Sequence, residues 1–592
     1  MPGPGDRGGV KQKPKDARKT LRRLLKYMME YAWIFFLLLI CAFTSNIGNL
    51  LGPDFAGKAI TAASAGKGKV DMDLVVHYGL LMLFVYVGSN ILSFLVNIGM
   101  MHVGRYVARN MRRDVFDKLQ KLPVGYFDKH LAGDIISRVS YDIDVVTTSL
   151  SSDIVQILTS VVTVVGSFIM MCMISLPLVL CMAFTIPISV LFTRHMSKKT
   201  RPLYRVRSLA YGEMNGFAEE MFTGQKTILA YAHEDYVCKR FEEINLNAAR
   251  AYKDADGLGM TMGPTIGMIS NIGLSAIGLG GALLYMKNIV GLGQISSFIL
   301  YSRKFSGPIN EISNIINEIF SALAAAERVF QLLDEIEEVK DIEGAALLSD
   351  VQGKVEVHDV EFGYLKKKTI LHDFNMESHP GETVAIVGHT GAGKTTIINL
   401  LMRFYDPWKG EICVDGQENR KYTMESLRKS YSMVLQDTWV FNGTIFDNIA
   451  YGKENATLEE VMEAAKAAHI HNYIMRLPQG YNTVISEDGG NISKGQKQLI
   501  TIARAMLYDT SMLILDEATS NVDTATERKV QKAMRTLMAG KTCFIIAHRL
   551  STIRNADNIL VMDKGDVIEQ GNHDFLMQNK GAYYRLYQSQ FD

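Results

Sequence analysis

Net charge and paired cysteines are what this chain most clearly lacks. It carries 63 lysine and arginine side chains against 62 aspartate and glutamate side chains, which gives 592 residues a formal net charge of +1 at pH 7. So balanced a chain has no overall basic field, and we therefore expect no nucleic-acid partner. The six cysteines are scattered, and no two form a Cys-x-x-Cys pair. Their spacing argues against a disulfide framework and against a zinc site.

The start of the chain shows no pattern of a cleavable signal peptide, and we expect none. Residues 1–30 form a basic segment that leads directly into an apolar stretch of spanning length. We expect this segment to be cytoplasmic. We expect no leader-peptide protease domain before the first span, because so few residues leave no room for one.

Long apolar stretches fill the N-terminal half. Residues 31–53 contain no charged side chain, and this run of about 23 residues can cross a hydrocarbon core of about 30 Å. Five further stretches lie at residues 75–103, 145–173, 175–196, 256–286 and 290–320. Any one of them alone would also fit a buried helix of a soluble protein. Six in series predict a transmembrane domain of six helices at residues 31–325.

Lysine and arginine are concentrated on one side of these predicted spans. After spans two and four the chain carries Arg105, Arg109, Arg112, Arg113, Lys118, Lys121, Lys198, Lys199, Arg201, Arg205 and Arg207. Cytoplasmic loops show this excess, so both termini are expected in the cytoplasm. The same segments are poor in glycine and proline, which predicts helices that continue beyond the membrane. Each has a candidate turn for contact with a soluble domain, at residues 123–128 and 211–220.

A glycine-rich loop is the most informative motif of the C-terminal half. Residues 388–395 read Gly-His-Thr-Gly-Ala-Gly-Lys-Thr, which fits the phosphate-binding loop, and they lie between a strand-like and a helix-like run. Backbone N–H groups of such a loop and the following helix N-terminus surround phosphate groups. Lys394 would reach the β- and γ-phosphates and Thr395 would bind Mg²⁺. The predicted nucleotide contacts here are Gly388, His389, Thr390, Gly391, Ala392, Gly393, Lys394, Thr395 and Thr396.

Four polar residues follow other strand-like runs of this half. Asp516 would hold Mg²⁺, and Glu517, directly after it, could orient and deprotonate an attacking water. His548 stands where a histidine can contact a γ-phosphate. Gln436 could reach the metal or the water. Outside this context Glu517 would be a solvated acid and His548 a structural residue at a strand end.

Two further features could hold the other parts of a nucleotide. Tyr364 could stack on an aromatic base. Ser493, Lys494, Gly495 and Gln496 open a helix with the Ser-x-x-Gln pattern of a capping box. As a cap this pattern is ordinary, but as a helix N-terminus it could also bind a second phosphate group.

Taken in order, these motifs resemble those of an ATP-binding cassette (ABC) exporter over nearly all of the chain. The ordered set is Tyr364, residues 388–396, Gln436, residues 493–496, Asp516, Glu517, residues 521–523 with Asp523, and His548. Six spans followed by one nucleotide domain resemble the bacterial half-transporter arrangement. The implied fold is multi-domain: an all-α six-helix transmembrane domain with long cytoplasmic helix extensions, a linker at 326–350, and an α/β phosphate-loop nucleotide-binding domain at 351–592.

The resemblance also implies partners and a location. Two chains would form a dimer that holds two ATP molecules with Mg²⁺, each between one chain's phosphate loop and the other chain's signature helix at 493–496. The protein would be a multi-pass protein of a bacterial plasma membrane, in contact with membrane lipids and a small amphipathic substrate. The turns after spans two and four would be its coupling helices.

Two departures from the family pattern suggest an unequal pair of chains. The signature is usually Leu-Ser-Gly-Gly-Gln, but Lys494 replaces its first glycine, and Asn521 and Val522 replace the usual Ala-Leu. A lysine Cβ and stem crowd a backbone that must approach phosphate, whereas glycine does not. Because Glu517 and His548 are kept, we expect one chain of a heterodimer, with a second half-transporter chain that supplies the intact signature.

Several alternatives remain open at this point. The chain could form a homodimer that tolerates Lys494, a lipid flippase, or a non-transporting membrane ATPase that acts as a sensor. An importer is disfavoured, because importers normally keep the membrane and ATPase parts on separate chains. Arg303 and Lys304, inside span six, could meet an anionic or amphipathic substrate, or could equally snorkel or pair with another span.

Overall fold

The structure is a computed structural model that describes residues 16–64, 70–183, 185–366, 368–436, 438–486, 491–517, 523–547 and 553–588. Side chains at 181, 183, 185–186, 190, 309–314 and 517 are not described. The chain divides into two compact units. The first comprises residues 1–122 and 130–336, and the second comprises Pro123–Lys129 together with residues 337–592.

The regular secondary structure of the first unit is helical throughout its described residues. In chain order the helices are α1 Ala17–Met29, α2 Ala32–Ala63, α3 Met72–Leu119, α4 Val124–Phe127, α5 Ala132–Ser137, α6 Ile143–Thr148, α7 Ile154–Ile174, α8 Leu176–Ala183, α9 Thr185–Thr223, α10 Gln225–Ala230, α11 Glu234–Met260, α12 Met262–Met286 and α13 Leu292–Leu333. Of these, α4 belongs to the second unit. Two π-helical turns, Arg138–Asp142 and Ser149–Asp153, join α5, α6 and α7. Helix α2 packs on α3, α7 and α13.

Four helical segments of the described chain are long and apolar enough to cross a membrane. They are Ala32–Ala63, Met72–Leu119, Ala132–Ile174 and Glu234–Met286, and they contain the first, second, third and fifth predicted spans. By length and composition, the described residues therefore contain four candidate membrane spans and not the six that the sequence predicts. The fourth stretch lies in α8 and α9, on either side of residue 184, which is outside the described residues. The sixth lies in α13, where Arg303 and Lys304 interrupt the apolar run.

The second cytoplasmic turn lies later in the chain than the sequence predicts. Helix α9 continues through residues 211–220 and ends at Thr223. The chain then reverses through Gly224 and the short α10, and α11 begins after His233. The predicted position was wrong because Gly212 and Gly216 lower the helix propensity of residues 211–220 without ending α9, whereas the helix ends just before Gly224.

One ion pair fixes the first π-turn to α13 inside the first unit. Arg328 donates from Nε to Asp142 Oδ2 at 2.9 Å and from Nη2 to Oδ1 at 2.5 Å. The Asp142 side chain is only 3% exposed. Two parallel charge-assisted bonds give this contact a defined geometry, and loss of Arg328 would leave the buried Asp142 carboxylate without its charged partner.

The second unit is built on two sheets. Its strands are β1 Val355–Phe362, β2 Leu371–Ser378, β3 Thr383–Gly388, β4 Lys409–Val414, β5 Gln417–Glu418, β6 Tyr431–Val434, β7 Gly443–Thr444, β8 Val484–Ile485, β9 Met512–Glu517, β10 Thr542–Ala547, β11 Asn558–Asp563 and β12 Asp566–Gly571. A four-stranded sheet has the order β2-β1-β4-β5, and a six-stranded sheet has the order β12-β11-β3-β10-β9-β6. In the larger sheet β6, β9, β10, β3 and β11 run parallel.

Helices cover the larger sheet and bury both of its faces. They are α14 Lys394–Leu401, α15 Met424–Lys429, α16 Ile445–Ala450, α17 Leu458–Ala467, α18 His471–Ile474, α19 Lys494–Tyr508, α20 Thr524–Met538, α21 His573–Asn579 and α22 Ala582–Gln588. Alternate residues of β9 enter two different cores: Ile514 packs with β1, β2 and α14, whereas Leu513 packs with α19 and α20. Continuous apolar runs in parallel strands follow from this double burial.

Candidate nucleotide-binding site

The phosphate-binding loop connects the central strand β3 to helix α14. Strand β3 lies between β10 and β11, and its residues 384–387 are buried. Gly393 caps α14 with φ of +102°, a conformation that other residues rarely adopt. A Cβ at Gly388 would lie 2.3 Å from the carbonyl oxygen of Met562 on the neighbouring strand. These two positions therefore need glycine so that the loop can turn tightly over the sheet edge.

Lys394 is held inside this loop at the first position of α14. It is 7% exposed, and its Nζ donates hydrogen bonds to the carbonyl oxygens of Gly388 at 2.7 Å and His389 at 3.1 Å. Burial lowers the pKa of Lys394, and the nearby Asp516 carboxylate acts in the opposite direction. The ammonium group thus lies at the centre of the loop beside an acidic side chain. Thr395 is exposed at the same helix end, whereas Thr396 is buried.

Substitution of Lys394 by alanine is expected to weaken ATP binding by about tenfold or more. A hydrogen bond to a charged group contributes about 1.5–3 kcal/mol, which corresponds to about 10- to 100-fold in affinity. Titration with a fluorescent ATP analogue measures the change. Lys409→Ala is a matched control, because Lys409 is 75% exposed and pairs with Glu361 away from the loop. Equal affinity of Lys394→Ala and the parent chain would contradict this assignment.

Tyr364 lies at the rim of the loop, where it contacts α14. Asn399 Nδ2 donates to the Tyr364 hydroxyl at 2.9 Å, and that hydroxyl lies 3.4 Å from Thr396 Oγ1. The ring is 36% exposed. An aromatic ring fixed at its hydroxyl end and partly open to solvent is suited to stack on a nucleotide base.

The predicted acidic residues lie at the carboxyl end of β9. Asp516 and Glu517 pair with Ile546 and Ala547 of the parallel strand β10. Gln436 is exposed two residues after β6, which pairs with β9 on its other side. Carboxyl ends of parallel strands share one edge of a sheet, and there open α/β sheets bind ligands. His548 follows β10 but lies outside the described residues.

The geometry of the signature segment is that of a capped helix start. Ser493 Oγ accepts from the Gln496 N–H at 3.3 Å, and Gln496 Oε1 accepts from the Ser493 N–H at 2.8 Å. Lys494 is the first residue of α19 and is exposed, while Gly495 is buried. The lysine therefore leaves the capping box intact and adds a side chain at the helix N-terminus.

Asp523 has a structural role in the described chain. Its Oδ2 accepts from the Thr526 N–H at 2.9 Å, and it caps helix α20. Hydrogen bonds from Thr526 lower the pKa of its carboxyl group. The neighbouring residues 521 and 522 are outside the described ranges.

Oxygen ligands suitable for Mg²⁺ occur at this sheet edge. Thr395 and Gln436 are exposed, and Asp516 is partly exposed. In the part of the chain that the structure describes, no group of three or more His, Cys, Asp or Glu residues could hold a metal by itself. Mg²⁺ commonly takes one or two protein oxygens and completes its shell with substrate phosphates and water, so this donor set fits the ion.

Two contacts near Tyr364 were not found from the sequence. Asn399 anchors its hydroxyl, and Tyr405 packs against its ring edge-to-face with centroids 5.0 Å apart. Asn399 lies in the first helix after the loop, within helical reach of Thr396, so the period of α14 could have suggested it. Tyr405 carries no such local signal.

Comparison with known proteins identifies the chain. The family "ABC transporter transmembrane region" matches residues 35–309, and the family "ABC transporter" matches residues 371–520. The fatty acid ABC transporter ATP-binding/permease protein of Mycobacterium bovis is 44% identical over 80% of this chain and 75% of its own. An ATP-dependent lipid A-core flippase of Syntrophus aciditrophicus is 31% identical over 96% of this chain and 94% of its own length. The structure of a bacterial Atm1-family ABC exporter with ATP bound matches with a TM-score of 0.73 and 29% identity, over 97% of this chain and 99% of that one.

The chain therefore belongs to the ABC transporters. Within that family it is an exporter half-transporter, which has a membrane part and an ATPase part in one polypeptide. It binds ATP and couples ATP hydrolysis to transport across the membrane. ABC exporters work as dimers, so the chain acts with a second chain. Its several apolar helices make it a multi-pass membrane protein.

Proposed function

We propose that this chain is the catalytically complete half of a heterodimeric exporter of small amphipathic or lipid-like molecules. ATP held with Mg²⁺ by this chain's phosphate loop is hydrolysed against the partner's signature helix. ATP held by the partner's loop meets Lys494 and turns over slowly or not at all. The observation that carries this proposal is the exposed lysine at the first position of the otherwise well-capped helix α19.

The roles of the site residues follow from their positions. Lys394 and the loop amides bind the β- and γ-phosphates, and Tyr364 holds the base. Asp516, Thr395 and Gln436 would hold Mg²⁺, which would supply positive charge to neutralise the phosphates. Glu517 orients and deprotonates the attacking water, Gln436 also reaches that water, and His548 contacts the γ-phosphate. The partner binds its own nucleotide in the same way against Ser493, Gly495 and Gln496 of this chain.

Transport follows from the difference in ATP affinity between two states. ATP stabilises the closed pair of nucleotide domains, and this shifts the spans toward an outward-open cavity. Hydrolysis removes the γ-phosphate that holds the pair together, and the transporter resets. The free energy of ATP binding and hydrolysis thus drives one cycle of alternating access.

The substrate proposal is supported by the relatives and by one exposed charge. One relative is named for fatty acids and another for lipid A-core. The Lys304 ammonium group is already engaged within the protein, because its Nζ donates a hydrogen bond to the Asn49 carbonyl oxygen at 2.6 Å. Arg303 is exposed on the neighbouring position of α13. A cation at this depth is costly in lipid and is suited to an acidic head group in a cavity.

The ATPase rate of the chain purified alone in a lipid nanodisc tests the proposal. We expect ATP binding with almost no turnover, because two copies of this chain carry two copies of Lys494 and no intact signature. Addition of the partner chain should restore hydrolysis, and amphiphiles or lipids should then stimulate it. Rapid hydrolysis by the chain alone would instead mean a homodimer that tolerates Lys494. Stimulation by bilayer lipids but not by soluble amphiphiles would assign a flippase.

A further inference from the structure

Tyr405 connects two parts of the second unit that sequence motifs treat as separate. Its ring packs edge-to-face on Tyr364, with centroids 5.0 Å apart and an interplanar angle of 82°. Its hydroxyl donates a hydrogen bond to Asp128 Oδ2. Asp128 belongs to the segment Pro123–Lys129, which is grouped with the second unit although both neighbouring helices belong to the first. One side chain therefore touches both the expected base platform and this inserted segment.

The ring of Tyr405 is also held in place by its surroundings. Phe362, on strand β1, lies 5.6 Å from it, and Phe362 itself packs edge-to-face on Tyr364 at 5.3 Å. On the other side Gly125 approaches so closely that an added Cβ would lie 2.9 Å from Tyr405 Cε1 and 3.0 Å from its hydroxyl oxygen. Packed aromatic edges and a glycine contact leave the ring little room to move independently of either neighbour.

The hydrogen bond to Asp128 is stronger than a contact between neutral groups. The acceptor is a carboxylate, and such bonds are about twice as strong as neutral ones. Burial of the ring and the Asp128 carboxylate both raise the pKa of Tyr405, so its hydroxyl stays protonated and keeps donating at neutral pH.

We propose that Tyr405 is a positioning residue that transmits the presence of the nucleotide base on Tyr364 to the segment Pro123–Lys129. The inference rests on the proposed stacking of the base on Tyr364, and it does not depend on the heterodimer or on the substrate. A base placed on the exposed face of Tyr364 restricts that ring, and Tyr405 and Asp128 restrict the segment in turn. A polyphosphate without a base occupies the loop around Lys394 without engaging this path.

Hydrogen exchange of the segment's own amides gives a direct readout. Its turn is closed by backbone bonds from Tyr126 N to Pro123 O, Asp128 N to Val124 O and Lys129 N to Tyr126 O, of 2.9, 3.1 and 3.2 Å. Exchange at these amides reports how often the turn opens. In the full-length chain in nanodiscs, we expect Mg²⁺-ATP to slow exchange of a peptide covering 123–131. Mg²⁺-tripolyphosphate should not.

Tyr405→Phe is the decisive variant, because it keeps the ring and removes only the hydroxyl. We expect it to lose the ATP-dependent slowing of exchange while its affinity for ATP changes by less than about twofold. Tyr422→Phe is the matched control, since it removes a hydroxyl bonded to the Val414 carbonyl oxygen in the same unit. Retention of the full ATP response in Tyr405→Phe would overturn the proposal.

Two glycines provide a second, independent pair of variants. Gly125→Ala pushes a methyl group against the Tyr405 ring and is expected to abolish the response. Gly133→Ala is the control, because an added Cβ there has nothing within 4 Å. A normal ATP response in Gly125→Ala would count against the path through Tyr405.

The stacking premise is tested separately. Tyr364→Ala should weaken binding of ATP but not of tripolyphosphate. If Tyr364→Ala leaves ATP affinity unchanged, the base does not lie on Tyr364 and the premise fails. If affinity falls but the exchange response in Tyr405→Phe is normal, the premise holds and the role of Tyr405 fails.

Discussion

Lys494→Gly will raise the ATPase rate of the chain purified alone by about tenfold or more, a change of about 1.4 kcal/mol in the activation free energy. Lys494 is the first residue of α19, directly after the cap residue Ser493. The first amides of a helix have no partner within it, so those of Lys494 and Gly495 can bind a phosphate group. A lysine side chain at this point crowds the approach of the phosphate, and glycine removes the obstruction. In a dimer of identical chains, both sites would then be complete.

Graded substitutions separate crowding by the stem from crowding by the Cβ. Lys494→Ala keeps the Cβ and removes the stem and charge, so its rate should lie between those of the parent and the glycine variant. Lys497→Ala removes a lysine one turn further along α19 and should leave the rate unchanged. Light scattering must show that the protein is dimeric during the assay. A dimeric Lys494→Gly chain with no gain in rate would show that Lys494 is not what silences the site.

The membrane part shows where sequence reasoning succeeds and where it stops. Four spans are recognisable from the sequence because uninterrupted runs of about 20 apolar residues are typical of helices that cross a membrane. The sixth predicted stretch is not among these four, and α13 carries Arg303 and Lys304 within its apolar part. The second turn was misplaced because helix propensity is a weak guide within a long polar helix, and Gly224 was overlooked as the break.

Parts of the predicted nucleotide site could be located because each of them is a short local pattern in the sequence. The loop 388–395 lies between β3 and α14, as the motif requires. Asp516 was placed at a strand end for the same reason, since apolar runs in this half form parallel strands. Tyr405 and Asp128 could not be found in this way. Their contact joins residues 277 positions apart, and no local pattern specifies a pairing over that distance.

Pairing with another chain is the part that one sequence specifies least. Lys494 marks a departure from the family pattern, but its consequence depends on a surface that another chain provides. The structure shows that the departure does not disturb the capping box around it. The lysine is therefore a local change at a binding surface and not a sign of a damaged helix, which is why a single substitution can test it.

Glu517→Gln is expected to lower ATP hydrolysis by at least about 100-fold, because a general base contributes about 10²–10⁴ to a rate. The substitution is made in a preparation that turns over ATP, either the Lys494→Gly dimer or the complex with the partner chain. Glu517 is the last residue of β9, beside Asp516 and in register with Ala547 of β10. Glutamine keeps the size of the side chain and removes its basicity, so ATP affinity should stay within about twofold.

The nucleotide that remains bound distinguishes loss of the base from loss of the fold. Glu517→Gln should retain unhydrolysed ATP in a closed dimer, whereas a misfolded chain would retain none. Glu411→Gln, on the exposed side of β4, is a matched control that should hydrolyse ATP at the parent rate. If Glu517→Gln keeps more than about a tenth of the parent rate, the loss is below the range of a general base and another group must activate the water.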